Sequence, residues 1–545
     1  MRPRHWEIGL FLLVLMMAGG ALRLIHIGTP SIWVDENITV AAAKGVVETG
    51  KPVMRVGYIY GRGRLYTYSV AMVYRFFGIS LENARRASAI YGLISILICY
   101  FVAARLFGWK TGLIAAFFMT FSFYEIGWSR VARMYTMLQM INLLSVLCFF
   151  MHFKSSGTAG SDSKEVYSAG WNWYLLWLFA ALFLGVITTL WVHNINIINL
   201  LGYGLILVIL VGQQLVSHGF SRKLDPYRVM LLGVFLFGLA AILADTELSK
   251  LIKSFYNYMP AWAKYGSSAS QKWVLFTFLF SWTRFPLGYL FLWGGFEMIR
   301  HREKQAWMLL LLTLLPLIIL TFVFTHRHPK YFFSVFPMIF IVAAYGLLRL
   351  YEQLSRLLFQ KIRFSQKAAR MVTSGLIGLC FIISPWLRIA KNIPFLEDGK
   401  TNGAVYFNEW REAASLLHHE AMQGDLIISS LPEALAFYGI EADWALNDSN
   451  LDLSSNRDTR NQAGQLIEIY AGKPLIRSAA QFIDLISTHA RGWIVITDYH
   501  FNQSIYTADA IRDIIQNRLN PPRFTRNRTI RIYQWNHLLE SAHAF

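Results

Sequence analysis

Residues 31–45 read SIWVDENITVAAAKG, and they follow an apolar run, GLFLLVLMMAGGALRLIHIG, long enough to cross a bilayer. Two adjacent acids, Asp35 and Glu36, therefore stand where the chain leaves the membrane. Acids in the first turn of a helix complement its dipole, and a good cap contributes about 0.5–2 kcal/mol. A carboxylate at a membrane surface is equally suited to accept a proton from a hydroxyl nucleophile or to hold a metal. The rest of the chain decides between these meanings.

Of 545 residues, 55% are hydrophobic and only 15% charged, with a mean hydropathy of +0.39. Soluble domains carry about a quarter charged residues, so much of this chain faces something other than water. The aromatic content fits the belts that form at membrane interfaces. The formal charge of +19 is read as cytoplasmic loops and contact with anionic lipid, not as a nucleic-acid surface. Cys99, Cys148 and Cys380 all lie in apolar runs, so no disulfide framework is indicated. The basic start and long apolar run of the N-terminus lack a small-residue cleavage site and read as a retained first span.

Ten further apolar stretches follow, near 87–107, 109–127, 134–153, 171–190, 194–216, 229–246, 273–298, 307–325, 331–350 and 370–388. About eleven spans result, which puts the termini on opposite sides. With Arg2 and Arg4 cytoplasmic, Arg222, Lys223, Arg228, Arg300, Arg302 and Lys304 fall on the same side, as do Arg356, Lys361, Arg363, Lys367 and Arg370. The expected protein is multi-pass in the plasma (inner) membrane, with its C-terminal domain outside the cytoplasm. It divides into a transmembrane catalytic domain, 1–389, and an extracytoplasmic α/β domain, 390–545. In the latter, GDLIISS, RGWIVITDYH and FTRNRTIRIYQW are strand-like, and helical patterns alternate with them.

The first extracytoplasmic loop, 27–86, is predicted to be structured. DENITVAAAKGVVETG reads as a helix ending at Gly50, and RLYTYSVAMVYRFFG as an interfacial helix too short to span. The loop also holds Arg62, Arg64, Arg85 and Arg86, on the side where topology disfavours positive charge. Further basic groups gather at the same face. Arg130 and Arg133 in WSRVARMYTM share a helical face, followed by Tyr135. THRHPKYFFSVFP crowds His326, Arg327, His328 and Lys330 into a short turn before Tyr331. Guanidinium and ammonium groups near headgroups suit a lipid phosphate, whereas the two histidines lack the partners of a zinc site. His193, Asn194, Asn196 and Asn199 in LWVHNINIIN read as interhelical hydrogen-bonding groups. A basic collar and an acid pair on one face favour an enzyme. The alternative, a transporter or flippase for lipid-linked sugars, predicts charge at mid-membrane and paired halves.

Several motifs in order resemble the membrane-embedded GT-C glycosyltransferases, in the family that includes protein O-mannosyltransferases and aminoarabinose transferases. They are WVDE after the first span, FGISLENARRASAIYG, FGWKTGLIAAFFMTFSFYEIGWSRVARMYTM and RHPKYFFSVFP, spread over residues 9–350. The resemblance implies a mainly α GT-C bundle of about eleven transmembrane helices with a small C-terminal α/β domain. It implies hexosyl or pentosyl transfer, with inversion, from a polyprenyl-phosphate-linked sugar to an acceptor protein, lipid or glycan outside the cytoplasm. Asp35 is then the base and Glu36 its support. Arg130, Arg133 and Lys330 hold the donor phosphate, with Tyr135, His328 and Tyr331 supporting. No cofactor is identified, and a divalent metal is left open. Where many relatives carry a Lys-Pro or His-Pro pair, this chain reads YIYGRGRLYTY, so Arg62 and Arg64 are candidates for the phosphate-facing role.

Overall fold

The structure, a computed structural model, describes residues 5–152, 171–218, 273–280, 285–301, 305–322, 328–383, 407–446, 464–468, 470–504 and 506–536, with Gly233, Leu236 and Ala240. Apart from those three residues, the expected span at 229–246 lies outside these, as do the basic residues His326, Arg327, Arg222, Lys223, Arg228, Arg302 and Lys304. The chain divides into two compact units. One holds Met1–Ile25, Ser88–Arg130 and Met134–Asn392; the other holds His26–Ala87, Val131–Arg133 and Ile393–Phe545.

The first unit is helical. Among the described residues five helices are long and apolar enough to cross a membrane, beginning with His5–Leu24 and Leu81–Phe107, and three shorter ones are apolar. Two of the expected spans are broken. The 109–127 stretch forms Trp109–Phe121 and Phe123–Ser129, because Ser122 takes an extended conformation and accepts the Glu125 N–H. The 273–298 stretch forms Val274–Phe280 and Leu287–Arg300, with Pro286 at the start of the second helix. A capping hydroxyl at Ser122 and a proline at 286, not average hydropathy, mark these boundaries. The Trp171–Ile187 helix runs into a π-turn, Thr188–Val192, and then a 3-10 turn at Asn194–Asn196. Asn196 donates to the Gly185 carbonyl of the preceding helix at 3.0 Å, the kind of bond expected, whereas Asn199 donates locally to Asn196 at 2.8 Å.

The Leu287–Arg300 and Phe336–Gln360 helices touch backbone to backbone. A Cβ added at Gly294 would lie 2.1 Å from the Val342 carbonyl oxygen, and one at Gly346 would lie 2.5 Å from that of Leu290. Small residues that let helices approach so closely stand in for a hydrophobic driving force, which lipid does not supply.

In the second unit, a five-stranded sheet carries the C-terminal part, in the order β2-β1-β3-β5-β4. β1 (Leu426–Ser429) pairs in parallel with β2 (Trp444–Ala445) and β3 (Arg491–Thr497). β5 (Ile530–Asn536) runs antiparallel to β3 and to β4 (Arg523–Phe524). Ile428, Ile494, Ile496 and Trp535 form its core with Phe482, Ile511 and Ile515 from the Ala479–Thr488 and Asp509–Arg518 helices. Residues 28–32 belong to the same unit: Arg411 donates to the carbonyls of Gly28 and Thr29, and the Tyr438 hydroxyl accepts the Ile32 N–H.

Burial pushes the His500 imidazole down to about 4, with its ring stacked on Tyr506 at 4.5 Å. A histidine of depressed pKa contributes stability that is present above the unfolded value near 6.5 and lost as pH falls towards 4. Glu433, raised by burial and by Glu468, titrates with the opposite sign.

Three outcomes are expected from thermal unfolding of the purified full chain. Gly294→Ala destabilises by about 1–3 kcal/mol through overpacking. Gly295→Ala, whose Cβ would meet Leu310 Cδ2 at an ordinary 3.5 Å, is neutral or slightly stabilising. His500→Gln removes about 2 kcal/mol of the stability lost between pH 7 and pH 5, read as the difference between variant and wild type. The Glu433 contribution is common to both proteins and cancels in that difference.

Candidate active site

The acid pair opens the Val34–Thr49 helix, with Trp33 as N-cap and Gly50 in the left-handed conformation at its end. Glu36 and Arg85, 49 residues apart, form a fully buried ion pair. Arg85 Nε and Nη2 donate to the two Glu36 oxygens at 2.8 and 2.7 Å. Its remaining N–H groups reach the carbonyls of Ile27, Pro30 and Ser31, each at 2.9 Å. Glu36 in turn accepts the backbone N–H of Trp33 at 2.9 Å and of Ala132 at 2.7 Å. Every donor of the guanidinium and every acceptor position of the carboxylate is thereby used. Such a pair leaves Glu36 nothing with which to take a proton. It fixes residues 27–36 and 131–133 around one point instead.

Asp35, one residue earlier, points elsewhere and keeps 29% of its side chain exposed. Arg133 Nη2 stands 3.8 Å from its carboxylate. Arg133 Nη1 donates to the Asp35 carbonyl at 2.9 Å, to Thr39 Oγ1 at 3.0 Å and to the Tyr60 hydroxyl at 3.2 Å. One arginine thus holds both the backbone and the charge of Asp35. Tyr60 is delivered by a tight turn over 52–60, closed by Tyr60 N–H to Pro52 and Met54 N–H to Tyr58, and packs on Ile38 and Ala42. Arg62 and Arg64 are exposed, and Arg64 opens the Arg64–Phe77 helix. Tyr470, far along the chain, joins this cluster by packing on the same residues. Burial first, then Tyr60 and Glu468, raise its phenol above the ordinary range; Arg62 opposes this and Asp35 adds to it.

The remaining candidates lie in the helical unit. Arg130 is buried and donates to the carbonyls of Leu22, Arg23 and Ile25, closing the end of the His5–Leu24 helix. Arg23 binds back to Ser129 and to the carbonyls of Met119 and Thr120. Tyr135 packs on Trp128 at 4.6 Å and on His193 at 5.8 Å, and His193 meets Tyr331 at 5.9 Å. Lys330 Nζ sits 5.4 Å from the centre of the Tyr331 ring. Its backbone N–H donates to His328 Nδ1 at 3.1 Å, so the His328 ring proton rests on Nε2. Tyr135, Tyr331, Lys330 and His328 are therefore one group, and His193 is a member that sequence spacing did not reveal. A second missed feature is Glu125, buried, with its Oε1 accepting from Gln139 at 2.9 Å.

Among the described residues no three His, Cys, Asp or Glu side chains gather into a metal-holding group. A cation beside Asp35 would also meet the Arg133 guanidinium, whose Nη2 stands 3.8 Å from the carboxylate.

The fold is that of the GT-C membrane glycosyltransferases. The chain is similar, at 13% identity and a TM-score of 0.58, to ArnT from Cupriavidus metallidurans in the apo state, covering 97% of each chain. Against the same protein bound to undecaprenyl phosphate the TM-score is 0.55 at 13% identity, covering 98% of each. An Archaeoglobus fulgidus oligosaccharyltransferase tethered to an acceptor peptide gives 0.56 at 13% identity, over 97% of this chain and 74% of the other. No protein-family model and no curated protein matches the sequence.

The ion pair carries its own test. Arg85→Met strands a buried carboxylate and costs about 3–5 kcal/mol in thermal or denaturant unfolding of the full chain, and adding Glu36→Gln recovers part of that loss.

Proposed function

We propose that the protein is a membrane glycosyltransferase that moves a sugar from a polyprenyl-phosphate donor to an acceptor hydroxyl outside the cytoplasm, with Asp35 as the base. The observation that carries this reading is the contrast within the acid pair. Glu36 has every oxygen position occupied, while Asp35 is held by Arg133 and keeps an accessible carboxylate.

The reaction is a single displacement. The acceptor oxygen attacks the anomeric carbon from the side opposite the phosphate, and the bond from that carbon to the phosphate oxygen breaks. The configuration inverts, the proton passes to Asp35, and polyprenyl phosphate leaves. A free aspartate of pKa about 3.9 is a weak base at neutral pH, so its contribution is mainly orientation, with proton transfer completed late. Negative charge grows on the departing phosphate, and fixed positive charge there lowers the barrier. Exposed Arg62, with Arg64, is assigned that task. Arg133, committed to the Asp35 carbonyl, is assigned to shaping the site and adding field. Support for a lipid phosphate comes from the fold neighbours, one bound to undecaprenyl phosphate and one in complex with a dolichol-phosphate.

Membranes holding Asp35→Asn are expected to lose about 10²–10⁴-fold in transfer from undecaprenyl-phosphate sugars, with unchanged expression and unfolding temperature. Transfer equal to wild type would remove Asp35 from the chemistry.

A further inference from the structure

The Phe336–Gln360 helix has 25 residues and so runs about 38 Å, against about 30 Å for a hydrocarbon core. Every residue from Phe336 to Gly346 is buried, and none from Leu347 to Gln360 is. The surplus length carries its last turns out of the helical core and into the headgroup zone. A turn over 361–365 follows, in which the Phe364 N–H donates to the Leu358 carbonyl at 3.1 Å. Ser365 then caps the Gln366–Ile383 helix by accepting the Ala368 N–H at 3.2 Å. That helix packs back against its predecessor, with Ala369 and Thr373 buried.

Five basic residues, Arg356, Lys361, Arg363, Lys367 and Arg370, are exposed on this corner, and no acid occurs between Glu352 and Glu397. Basic groups close by are matched by acids: Arg300 meets Glu297 at 3.4 Å, and Arg349 meets Glu352 at 3.2 Å. Arg356 stands 4.0 Å from that same Glu352. The other four make no ion pair among the described residues. Leu357, Phe359 and Ile362, interleaved with them, are half exposed. Arg363 itself has a φ of 60°, the left-handed region where glycine is the usual residue after a helix and a larger one is strained. Strain of this kind persists where the side chain serves something the backbone alone does not need.

We infer that the corner spanning residues 356–371 binds an anionic phospholipid of the leaflet expected to be cytoplasmic. Arg363, Lys367 and Arg370 meet the headgroup phosphate, and the half-exposed apolar side chains lie along the acyl chains. Unmatched cations beside exposed apolar groups complement a molecule that is anionic at one end and apolar at the other. Guanidinium forks suit phosphate oxygens in particular. Positive charge alone would orient the chain in the membrane, but that task needs neither the apolar residues nor an arginine in the left-handed region. The inference does not depend on the transferase reading.

The test is native mass spectrometry of the full chain in detergent, with dioleoyl-phosphatidylglycerol or dioleoyl-phosphatidylcholine added, reading the Kd of the first bound lipid. Wild type is expected to bind the phosphatidylglycerol about tenfold more tightly than the phosphatidylcholine. Arg363→Gly and Lys367→Gln are each expected to weaken phosphatidylglycerol binding about fivefold, the loss of one interfacial charge, and to leave phosphatidylcholine binding unchanged. Arg363→Gly is also expected to keep or raise the unfolding temperature, because glycine relieves the left-handed strain. Lys110→Gln removes an equal charge elsewhere in the helical unit, over the Trp109 ring, and is expected to bind like wild type. Equal affinity of wild type for the two lipids overturns the inference. Equal weakening by Lys110→Gln does so too, since it reduces the effect to net charge. A lowered unfolding temperature in Arg363→Gly, with binding by Lys367→Gln unchanged, makes the corner structural and overturns it as well.

Discussion

The buried pair of Glu36 and Arg85 is the contact on which the site depends. Removing two charges from water costs several kcal/mol per ion, and attraction between them offsets that cost only when the remaining donors and acceptors are also met. Here they are, by the carbonyls of Ile27, Pro30 and Ser31 and the N–H groups of Trp33 and Ala132. Such a pair contributes more to geometry than to stability. It sets where the Val34–Thr49 helix begins and where Val131–Arg133 run, and so where Asp35 and Arg133 meet.

Neighbouring acids consequently have opposite characters. Glu36 faces inward and is saturated; Asp35 faces a guanidinium and solvent. The proposed function divides the two meanings of the acid pair, helix cap and functional carboxylate, between its members. Glu36 closes the helix start by accepting the Trp33 N–H, and the proposal gives the chemistry to Asp35.

Much of this was legible from local signals. Gly50 ends the helix that starts after Trp33, and the alternation in RGWIVIT and TIRIYQW marks β3 and β5. Local chemistry determines each of these, so a short window suffices. The breaks at Ser122 and before Leu287 were missed because hydropathy averages over a capping hydroxyl at the first and a proline, Pro286, at the second. The partners of the acids were illegible for a different reason. Arg85 is 49 residues from Glu36 and Tyr470 lies beyond the sheet's first strands, and only tertiary packing makes them neighbours. Arg130 and Arg133 share a helical spacing in sequence, yet a turn after Ser129 sends one to the end of the first helix and the other to Asp35.

The central claim is that Asp35 meets the acceptor hydroxyl at the anomeric carbon of a lipid-linked sugar. Its most direct test is an experimental structure with an undecaprenyl-phosphate sugar bound. The account predicts the anomeric carbon within about 6 Å of an Asp35 carboxylate oxygen, leaving room for one acceptor oxygen between them. A sugar bound with that carbon more than about 10 Å away, and another acid at the attacking face, would contradict it.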